Sequence, residues 1–404
     1  MKTSTSKRLR WNVAIWLAAG LFMTGTAGMA AGPIMPDPKA EARHQPQVEE
    51  TANGIPLVNI TAPSSGGVSR NEYETFNVPD KGAILNNSYT LSKTELAGYV
   101  QGNNNMAERP AKIIVNEVTG AGSTSMDGFL EVAGNRADVV IANPNGITVN
   151  GGGFINTGKA FLTTGKPVYD GEDHLQRFDI TGGDILIEGK GLGGKETGSL
   201  AILSRAVKIN AGIWAKDLHI TTGANTVDAK TLEASAIEGK GGRPAFALDT
   251  AAIGGMYAGR ITLVGTEKGL GVNNSGTWSA EDNLTLDWNG DLKNSGTIYS
   301  KGNADLRANY LENDKTIAAE RNLSAAAKEN IRNQGKLLAG ENMDIYAGKT
   351  LDNAGHAMES GNNLSIGTGD AINNAAGTIK SGGSQQIKAG HTLTNTCLLY
   401  TSDA

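Results

Sequence analysis

The stretch Asn274-Ser275-Gly276-Thr277-Trp278 returns 20 residues later as Asn294-Ser295-Gly296-Thr297-Ile298, and related units follow it along the chain. The leading asparagines of the units are 20, 19, 20, 20 and 21 residues apart: Asn274, Asn294, Asn313, Asn333, Asn353 and Asn374. A second asparagine lies near the middle of most units: Asn283, Asn303, Asn322, Asn342 and Asn363. A period near 20 is short for a pair of helices and suits one coil of a solenoid.

The residue types of the unit favour a coil made of β-strands. Ile, Leu or Trp recurs between corners of Asn and Gly, which tolerate the left-handed conformation that a sharp corner can require. Asparagines stacked at a corner can also satisfy one another's amide groups. Leucine-rich repeats have a similar length, but their spaced leucines are missing here. Low-complexity disorder would not explain the regular return of apolar residues. The sequence therefore predicts an all-β solenoid.

Short apolar runs bounded by Gly or Asn extend the same pattern towards the N-terminus. They are rich in β-branched residues, which favour strands: Ile113–Val115, Val139–Ile141, Ile185–Ile187 and Ile261–Val264. The Ala-rich segment Ser324–Ile331 is the best candidate for a helix, yet the repeat passes through it in register. With 54 glycines in 404 residues and 5% aromatics, the composition does not suit a thick globular core.

The N-terminal 30 residues have the layout of a secretory signal peptide. Four cations precede an apolar run, Trp11–Met23, and small residues follow it up to a cleavage site after Ala30. A membrane anchor is the alternative, but the run is shorter than the roughly 20 residues that a bilayer needs. Removal of residues 1–30 takes away four cations and changes the net charge from −5 to −9. This acidic chain gives no indication of nucleic-acid binding.

Two further segments differ from the repeating part. Residues 31–54 are polar and contain four prolines, so we expect a flexible lead. Residues 397–404 break the repeat and contain the single cysteine, Cys397. They can be back-translated into the mosaic end of a transposase-based sequencing library, and we expect them to be adapter read-through. Without Cys397 the exported chain has no disulfide, so its stability must come from stacking.

Residues 55–272 resemble the secretion domain of two-partner-secretion exoproteins, the family of filamentous haemagglutinin and contact-dependent-inhibition proteins. The matching tracts run in the family's order and include Ile55–Ile60, Gly82–Ser88, Ala142–Ile147, Gly254–Ala258 and Gly265–Val272. The resemblance implies a right-handed parallel β-helix with an N-terminal cap. The units in residues 273–396 then correspond to about six haemagglutinin repeats.

The family has two short motifs tied to secretion, NPNL and NPNGI. The second is intact as Asn143, Pro144, Asn145, Gly146 and Ile147. The first corresponds to Asn103, Asn104, Asn105 and Met106, where Asn and Met replace Pro and Leu and predict a less rigid turn.

The residue types of the second motif predict a tight turn. In it Pro144 fixes φ at the second position, Asn145 tolerates a positive φ at the third, and Ile147 returns to the core. A rigid corner that nucleates the solenoid would explain these residues, and a direct contact with the transporter is the alternative.

The resemblance also implies partners and a location. We expect a monomer that is secreted or held at the cell surface, and that passes through an outer-membrane β-barrel transporter with POTRA domains. The leading function is the secretion-targeting domain and stalk of a large adhesin. The alternative is the delivery stalk of a contact-dependent-inhibition toxin or haemolysin. A polysaccharide-degrading β-helix enzyme would need stacked acidic and basic residues in one groove, and the sequence shows no obvious set.

The motifs of several catalytic and ligand sites are missing or incomplete. The five histidines, at positions 44, 174, 219, 356 and 391, form no compact metal-ligand pattern. Gly189–Gly194 matches GxGxxG, but the following Ser199–Ile209 is typical of strands, and a phosphate site of this kind needs a helix N-terminus. The overlapping P-loop pattern fails at Glu196. The sequence thus predicts no catalytic residue, metal or cofactor, and a protein that is not an enzyme.

Overall fold

A computed structural model describes residues 33–106, 109–396 and 399–401. Nearly all of these residues lie in short strands and turns, which confirms the all-β prediction. In the described ranges the one helical segment is a single 3₁₀ turn, Ala42–His44. No helix in this part of the chain has the length and apolar composition needed to cross a bilayer. The predicted signal peptide and its cleavage site after Ala30 lie outside the described residues.

The strands are numbered in chain order. Those that precede the regular repeats are β1 Ile34–Pro36, β2 Gln47–Glu50, β3 Pro56–Asn59, β4 Val68–Phe76, β5 Ala83–Asn87, β6 Ser92–Thr94, β7 Gly98–Val100, β8 Ile113–Val118, β9 Thr124–Met126, β10 Phe129–Gly134, β11 Ala137–Ala142, β12 Ile147–Val149, β13 Gly152–Ile155, β14 Thr157–Thr163, β15 Lys166–Tyr169, β16 Leu175–Ile180, β17 Asp184–Ile187, β18 Leu192–Gly194, β19 Ser199–Ser204, β20 Ala206–Ile209, β21 Gly212–Thr222, β22 Asn225–Asp228, β23 Ala234–Ala236, β24 Phe246–Thr250 and β25 Gly255–Gly265.

The strands of the repeats are β26 Gly271–Asn274, β27 Thr277–Ala280, β28 Leu284–Trp288, β29 Leu292–Asn294, β30 Thr297–Ser300, β31 Ala304–Ala308, β32 Leu311–Asn313, β33 Thr316–Ala319, β34 Leu323–Ala327, β35 Ile331–Asn333, β36 Lys336–Ala339, β37 Met343–Ala347, β38 Leu351–Asp352, β39 Ala357–Ser360, β40 Leu364–Thr368, β41 Ala371–Asn374, β42 Thr378–Ser381, β43 Gln385–Lys388, β44 Thr392–Asn395 and β45 Leu399–Thr401.

These strands stack into a parallel β-solenoid with three faces. Face 1 contains β9, β12, β17, β20, β24, β26 and every third strand up to β44. Face 2 runs from β3 through β5, β10, β13 and β18 to β27 and its successors. Face 3 runs from β4 through β8, β11, β14 and β19 to β28 and its successors. The long strands β21 and β25 run across faces 2 and 3. Each coil of the repeats thus contributes one strand to each face.

Inward-pointing side chains form continuous apolar columns. On face 2 one fully buried column is Trp278, Ile298, Ile317, Leu337, Met358 and Ile379. Burying each large apolar side chain contributes about 1.5–3 kcal/mol. The Ala-rich segment forms strand β34, where Ala325 lies between Leu306 and Ile345 of the neighbouring coils. Ala325 is therefore a small residue between two large ones in this column of face 3.

The asparagines of the repeat form two hydrogen-bonded ladders. In the first ladder, Nδ2 of each buried asparagine donates to Oδ1 of the matching asparagine in the next coil over 2.7–2.9 Å. This series runs from Asn274 through Asn374 to Asn395. In the second, Nδ2 of Asn322 donates to Oδ1 of Asn303 in the preceding coil over 2.8 Å, and Asn342 and Asn363 continue the series. The predicted stacking of corner amides is confirmed.

The backbone explanation of these asparagines is wrong. Within the described ranges, positive φ angles of non-glycine residues occur at Asn156, Asp173, Leu232 and Ala376, and at no asparagine of either ladder. The ladder asparagines occupy corners because their side chains pair between coils, and their backbones adopt ordinary conformations.

The prediction of a flexible lead in residues 31–54 is wrong for its described part, residues 33–54. Strand β1 pairs antiparallel with β4, and β2 pairs antiparallel with β3, so these two strands cover the first edges of faces 3 and 2. Ile34 is buried, and Val48 packs against the main core. Prolines are tolerated because these are edge strands. The segment is therefore the N-terminal cap, and it protects edges that could otherwise pair with another chain.

Two antiparallel excursions leave the solenoid. The hairpin β6–β7 packs through Leu96 and Ala97 on a small apolar cluster at the start of face 2. A four-stranded sheet of β15, β16, β22 and β23 covers the outside of face 3. In this contact Phe178 meets Phe161 with ring centroids 5.8 Å apart. At the other end, β45 pairs with β42, and residues 397–398 and 402–404 lie outside the described ranges.

Candidate secretion corners

The second predicted motif forms the corner between faces 3 and 1. The N–H of Gly146 donates to the carbonyl of Asn143 over 3.1 Å, which closes a β-turn with Pro144 and Asn145 at its centre. Asn143 is fully buried, and its Oδ1 accepts the N–H of Asn145 over 2.9 Å. Its Nδ2 donates to the carbonyl of Gly122 over 2.9 Å, which ties the turn to the preceding coil.

The first predicted motif forms the same turn at a different corner, between faces 2 and 3. The N–H of Met106 donates to the carbonyl of Asn103 over 3.1 Å, and Oδ1 of Asn103 accepts the N–H of Asn105 over 2.9 Å. Asn103 is buried, and its Nδ2 donates to the carbonyl of Ile60 in the preceding coil over 2.8 Å. Asn104 stands where the family motif has Pro, and this hydrogen-bond pattern is still complete. The reason is that the second position of the turn supplies none of these bonds.

The third residue of each motif also bonds to the preceding coil. Nδ2 of Asn145 donates to the carbonyl of Gly120 over 2.8 Å, and Nδ2 of Asn105 donates to that of Ile60 over 3.1 Å. The expected positive φ at Asn145 is wrong, because the left-handed residue of this turn is Gly146, with φ 111°. Asn145 therefore contributes a side-chain hydrogen bond to this turn, and the left-handed backbone conformation belongs to Gly146.

The end of the second motif returns the chain to the core. A Cβ at Gly146 would lie 3.0 Å from the carbonyl oxygen of Asp184 in the next coil, so the corner has little space for a side chain. Ile147 is buried and pairs with Thr124 on one side and Ile185 on the other. The second residues, Asn104 and Pro144, are exposed. Each motif thus presents an exposed second residue on a turn that two asparagines fix to the coil beneath, and in the second motif Asn145 is exposed as well.

A buried ionic cluster lies near these corners in sequence but was not predicted. Nη2 of Arg70 lies 2.8 Å from Oε1 of Glu72 and 3.4 Å from Oε2 of Glu117, and its guanidinium is 4.5 Å from the ring centre of Tyr169. Nδ1 of His44 lies 3.0 Å from Oε1 of Glu72. Burial raises the pKa of Glu117, while burial and the nearby Arg70 lower the pKa of His44. The cluster joins the cap, two coils of face 3 and the antiparallel sheet.

The structure places the remaining candidate motifs in β-structure. Gly189 and Gly191 of the GxGxxG pattern have positive φ angles of 55° and 79°, and the chain continues into strands β18 and β19. The strand that was expected after this pattern is confirmed. Among the residues that the structure describes, no group of three or more His, Cys, Asp and Glu is placed to hold a metal ion.

Comparison with known proteins agrees with the motifs. Residues 33–300 match the family described as "TPS secretion domain", and residues 299–355 and 344–396 match "Haemagglutinin repeat". The solved filamentous hemagglutinin secretion domain matches 90% of this chain and all of its own, with a TM-score of 0.55 and 25% identity.

Several longer proteins are similar in sequence. Toxin CdiA of Yersinia pestis is 41% identical over 297 residues, which are 68% of this chain and 9% of that protein. The 16S rRNA endonuclease CdiA of Enterobacter cloacae subsp. cloacae is 40% identical over 327 residues, or 76% of this chain and 10% of that protein. The chain thus spans about a tenth of the length of these curated relatives. Because more than half of its residues match the TPS family and its fold is that of the filamentous hemagglutinin secretion domain, the chain belongs to the TPS secretion domain family.

Proposed function

We propose that this chain is the secretion-targeting domain and stalk of a large exoprotein, and that an outer-membrane β-barrel transporter with POTRA domains exports it as a monomer to the surface or the medium. The capped solenoid up to residue 272 would direct export, and the repeats of residues 273–396 would form the stalk. The observation that carries this proposal is the pair of matching asparagine corners in the first coils of a capped solenoid.

The corners have a physical role in this proposal. Each new coil of a solenoid buries apolar side chains and completes strand hydrogen bonds against the coil before it. Such growth needs a first template, because nearest-neighbour stacking gives no stability to an isolated coil. The buried amides of Asn103 and Asn143 tie early turns to the coils beneath them, and so they support formation of that template. Folding outside the cell would then favour onward movement of the chain.

The whole protein could be an adhesin or a toxin-delivery protein. The adhesin proposal rests on the match to the filamentous hemagglutinin secretion domain and to haemagglutinin repeats. The toxin proposal is favoured by the names of the relatives, which are a toxin and an RNA endonuclease. Recovery of the full reading frame distinguishes them, because a nuclease or pore-forming domain would support toxin delivery.

The nucleation role is tested with two buried asparagines at different places in the stack. Asn143→Ala removes an amide from an early corner, and Asn353→Ala removes an equally buried amide whose Nδ2 donates to Asn374 over 2.7 Å in the repeats. Secretion is measured against periplasmic accumulation with the transporter co-expressed. We expect Asn143→Ala to reduce secretion strongly and Asn353→Ala weakly.

The other outcomes are informative. Equal secretion defects in the two variants would contradict a special role for the early corner. If Asn143→Ala folds normally in isolation but is not exported, the corner instead contacts the transporter directly. Unchanged secretion after deletion of the transporter would contradict the export route.

A further inference from the structure

The outer side of face 2 carries a row of aromatic and glycine residues in register. Along this row Phe129 pairs with Gly153, Gly153 with Gly193, Gly193 with Trp214, and Trp214 with Tyr257. We call these five residues the aromatic strip. They belong to five successive coils, and at the usual strand spacing of about 4.8 Å the strip is roughly 19 Å long.

The aromatic rings of the strip lie flat on glycine backbone. A Cβ at Gly212 would lie 2.5–3.1 Å from carbons of the Trp214 indole, and a Cβ at Gly255 would lie 2.9 Å from the Tyr257 ring. The planes of these two rings differ by 16°, and their centres are 6.1 Å apart on adjacent strands. Each ring therefore covers its own strand with one face. Tyr257 is 40% exposed, and Trp214 is half-buried.

Two lysines give this platform a positive charge. Lys195 and Lys216 line the same shallow depression as Trp214 and Tyr257, with a volume of about 620 Å³. Both lysines are exposed, and within the described ranges neither belongs to an ion pair. Glu281, at the edge of the depression, is paired with Lys301. The depression therefore combines an open aromatic surface with two cations that lack an acidic partner in the described part of the chain.

We propose that the aromatic strip binds an anionic polysaccharide. The C–H face of a sugar ring would pack on Trp214 and Tyr257, and carboxylate substituents would pair with Lys195 and Lys216. The strip crosses five successive parallel strands and so runs along the solenoid axis, which fits an extended polymer better than a small enclosed ligand. This proposal does not depend on the export route.

The test uses the full chain and isothermal titration calorimetry with oligomers of galacturonic acid. Trp214→Ala removes one ring and should weaken binding about tenfold, whereas Trp214→Phe keeps a flat ring and should remain within a few-fold of the parent. The double variant Lys195→Gln/Lys216→Gln should also weaken binding about tenfold and reduce its salt dependence. Lys208→Gln is the matched control, because Lys208 is an exposed lysine on face 1.

The outcomes separate this proposal from simpler explanations. Loss of binding in Trp214→Ala and in the double lysine variant, with retention in the two controls and thermal stability unchanged in Trp214→Phe, would support it. Absence of binding to the parent chain would overturn it. Binding that depends on the lysines but survives Trp214→Ala would indicate simple ion exchange and would also overturn it. Equal affinity for neutral dextran, or tighter binding of single-stranded DNA, would overturn the assignment to anionic sugars.

Discussion

Asn103 and Asn143 make the same contacts at two different corners of the solenoid. In each case Oδ1 accepts the N–H of the residue two positions later over 2.9 Å, and Nδ2 donates to a backbone carbonyl of the preceding coil over 2.8 and 2.9 Å. The asparagines at the first and third positions thus define the motif, because their amides bond to the preceding coil. The second position is exposed and supplies none of these bonds.

Exchanging the second residues of the two motifs should change the free energy of unfolding by small amounts of opposite sign. Asn104→Pro should raise the free energy of unfolding by about 0.4–1 kcal/mol, because proline restricts the unfolded chain and the turn uses no bond from that position. Pro144→Asn should lower it by a similar amount. Urea unfolding of both variants measures the effect, and a loss above about 2 kcal/mol from Pro144→Asn would show that proline is essential at this corner.

Gly146 should tolerate no side chain. Gly146→Ala forces an L-residue to φ 111° and brings its Cβ within 3.0 Å of the carbonyl of Asp184, so we expect a loss of about 1–3 kcal/mol. Gly122→Ala is the control, because Gly122 lies in the neighbouring coil with no atom within 4 Å of its Cβ position. Equal stability of the two variants would contradict this account.

The ion pair of Arg205 and Glu267 should hold the loop that follows β23 against the solenoid. Nε and Nη2 of Arg205 each lie 3.0 Å from a carboxylate oxygen of Glu267, and its Nη1 donates to the carbonyl of Lys240 over 2.8 Å. Arg205→Met leaves a largely buried carboxylate unpaired, so we expect a loss of about 3 kcal/mol and faster proteolysis of residues 237–243.

A more exposed ion pair serves as a control for this role of Arg205 and Glu267, and the pH dependence of stability tests it further. Arg177→Met, which removes a more exposed pair with Asp179, should cost at most about 1 kcal/mol. The bond from Arg205 lowers the pKa of Glu267 below its ordinary 4.5. The stability from this pair should therefore be present above that value and be lost as the pH falls through the lowered pKa. A loop that is cleaved equally fast in both variants would contradict the assignment.

His219 should make the fold sensitive to mild acid. Burial lowers its pKa from 6.5 to about 4, and its Nε2 lies 2.8 Å from Oγ1 of Thr221. The unfolded chain then binds more protons than the folded chain between these values, so the free energy of unfolding falls as the pH drops from 6.5 towards 4. The loss approaches about 3 kcal/mol. Urea unfolding at pH 7.0 and 4.5 measures this fall in the free energy of unfolding, and His219→Gln should abolish it. An equal fall in His219→Gln and in the parent chain would show that other groups cause it.

Local sequence patterns predicted the repeating part of the fold and failed where contacts are distant in sequence. Apolar alternation and the asparagine period gave the strands and the amide ladders, because each coil contacts its neighbours at a constant separation. An N-terminal cap was expected, but its strands within residues 33–54 were missed because edge strands tolerate proline and polar residues. The cluster of Arg70 and Tyr169 was missed because these residues are 99 positions apart. At Asn145 the turn was predicted but its left-handed residue was misplaced by one position.

The opposite directions of the two asparagine ladders have an electrostatic consequence for the rod. A column of aligned amides adds its dipoles head to tail, as peptide units do along a helix. In the first ladder the Nδ2 groups point to the following coil, and in the second they point to the preceding one. Backbone contacts fix both amide orientations, since Nδ2 of Asn313 also donates to the carbonyl of Lys336 and Oδ1 of Asn322 also accepts the N–H of Asn342. The two columns therefore oppose each other, and coils can be added without accumulating side-chain polarity along the axis.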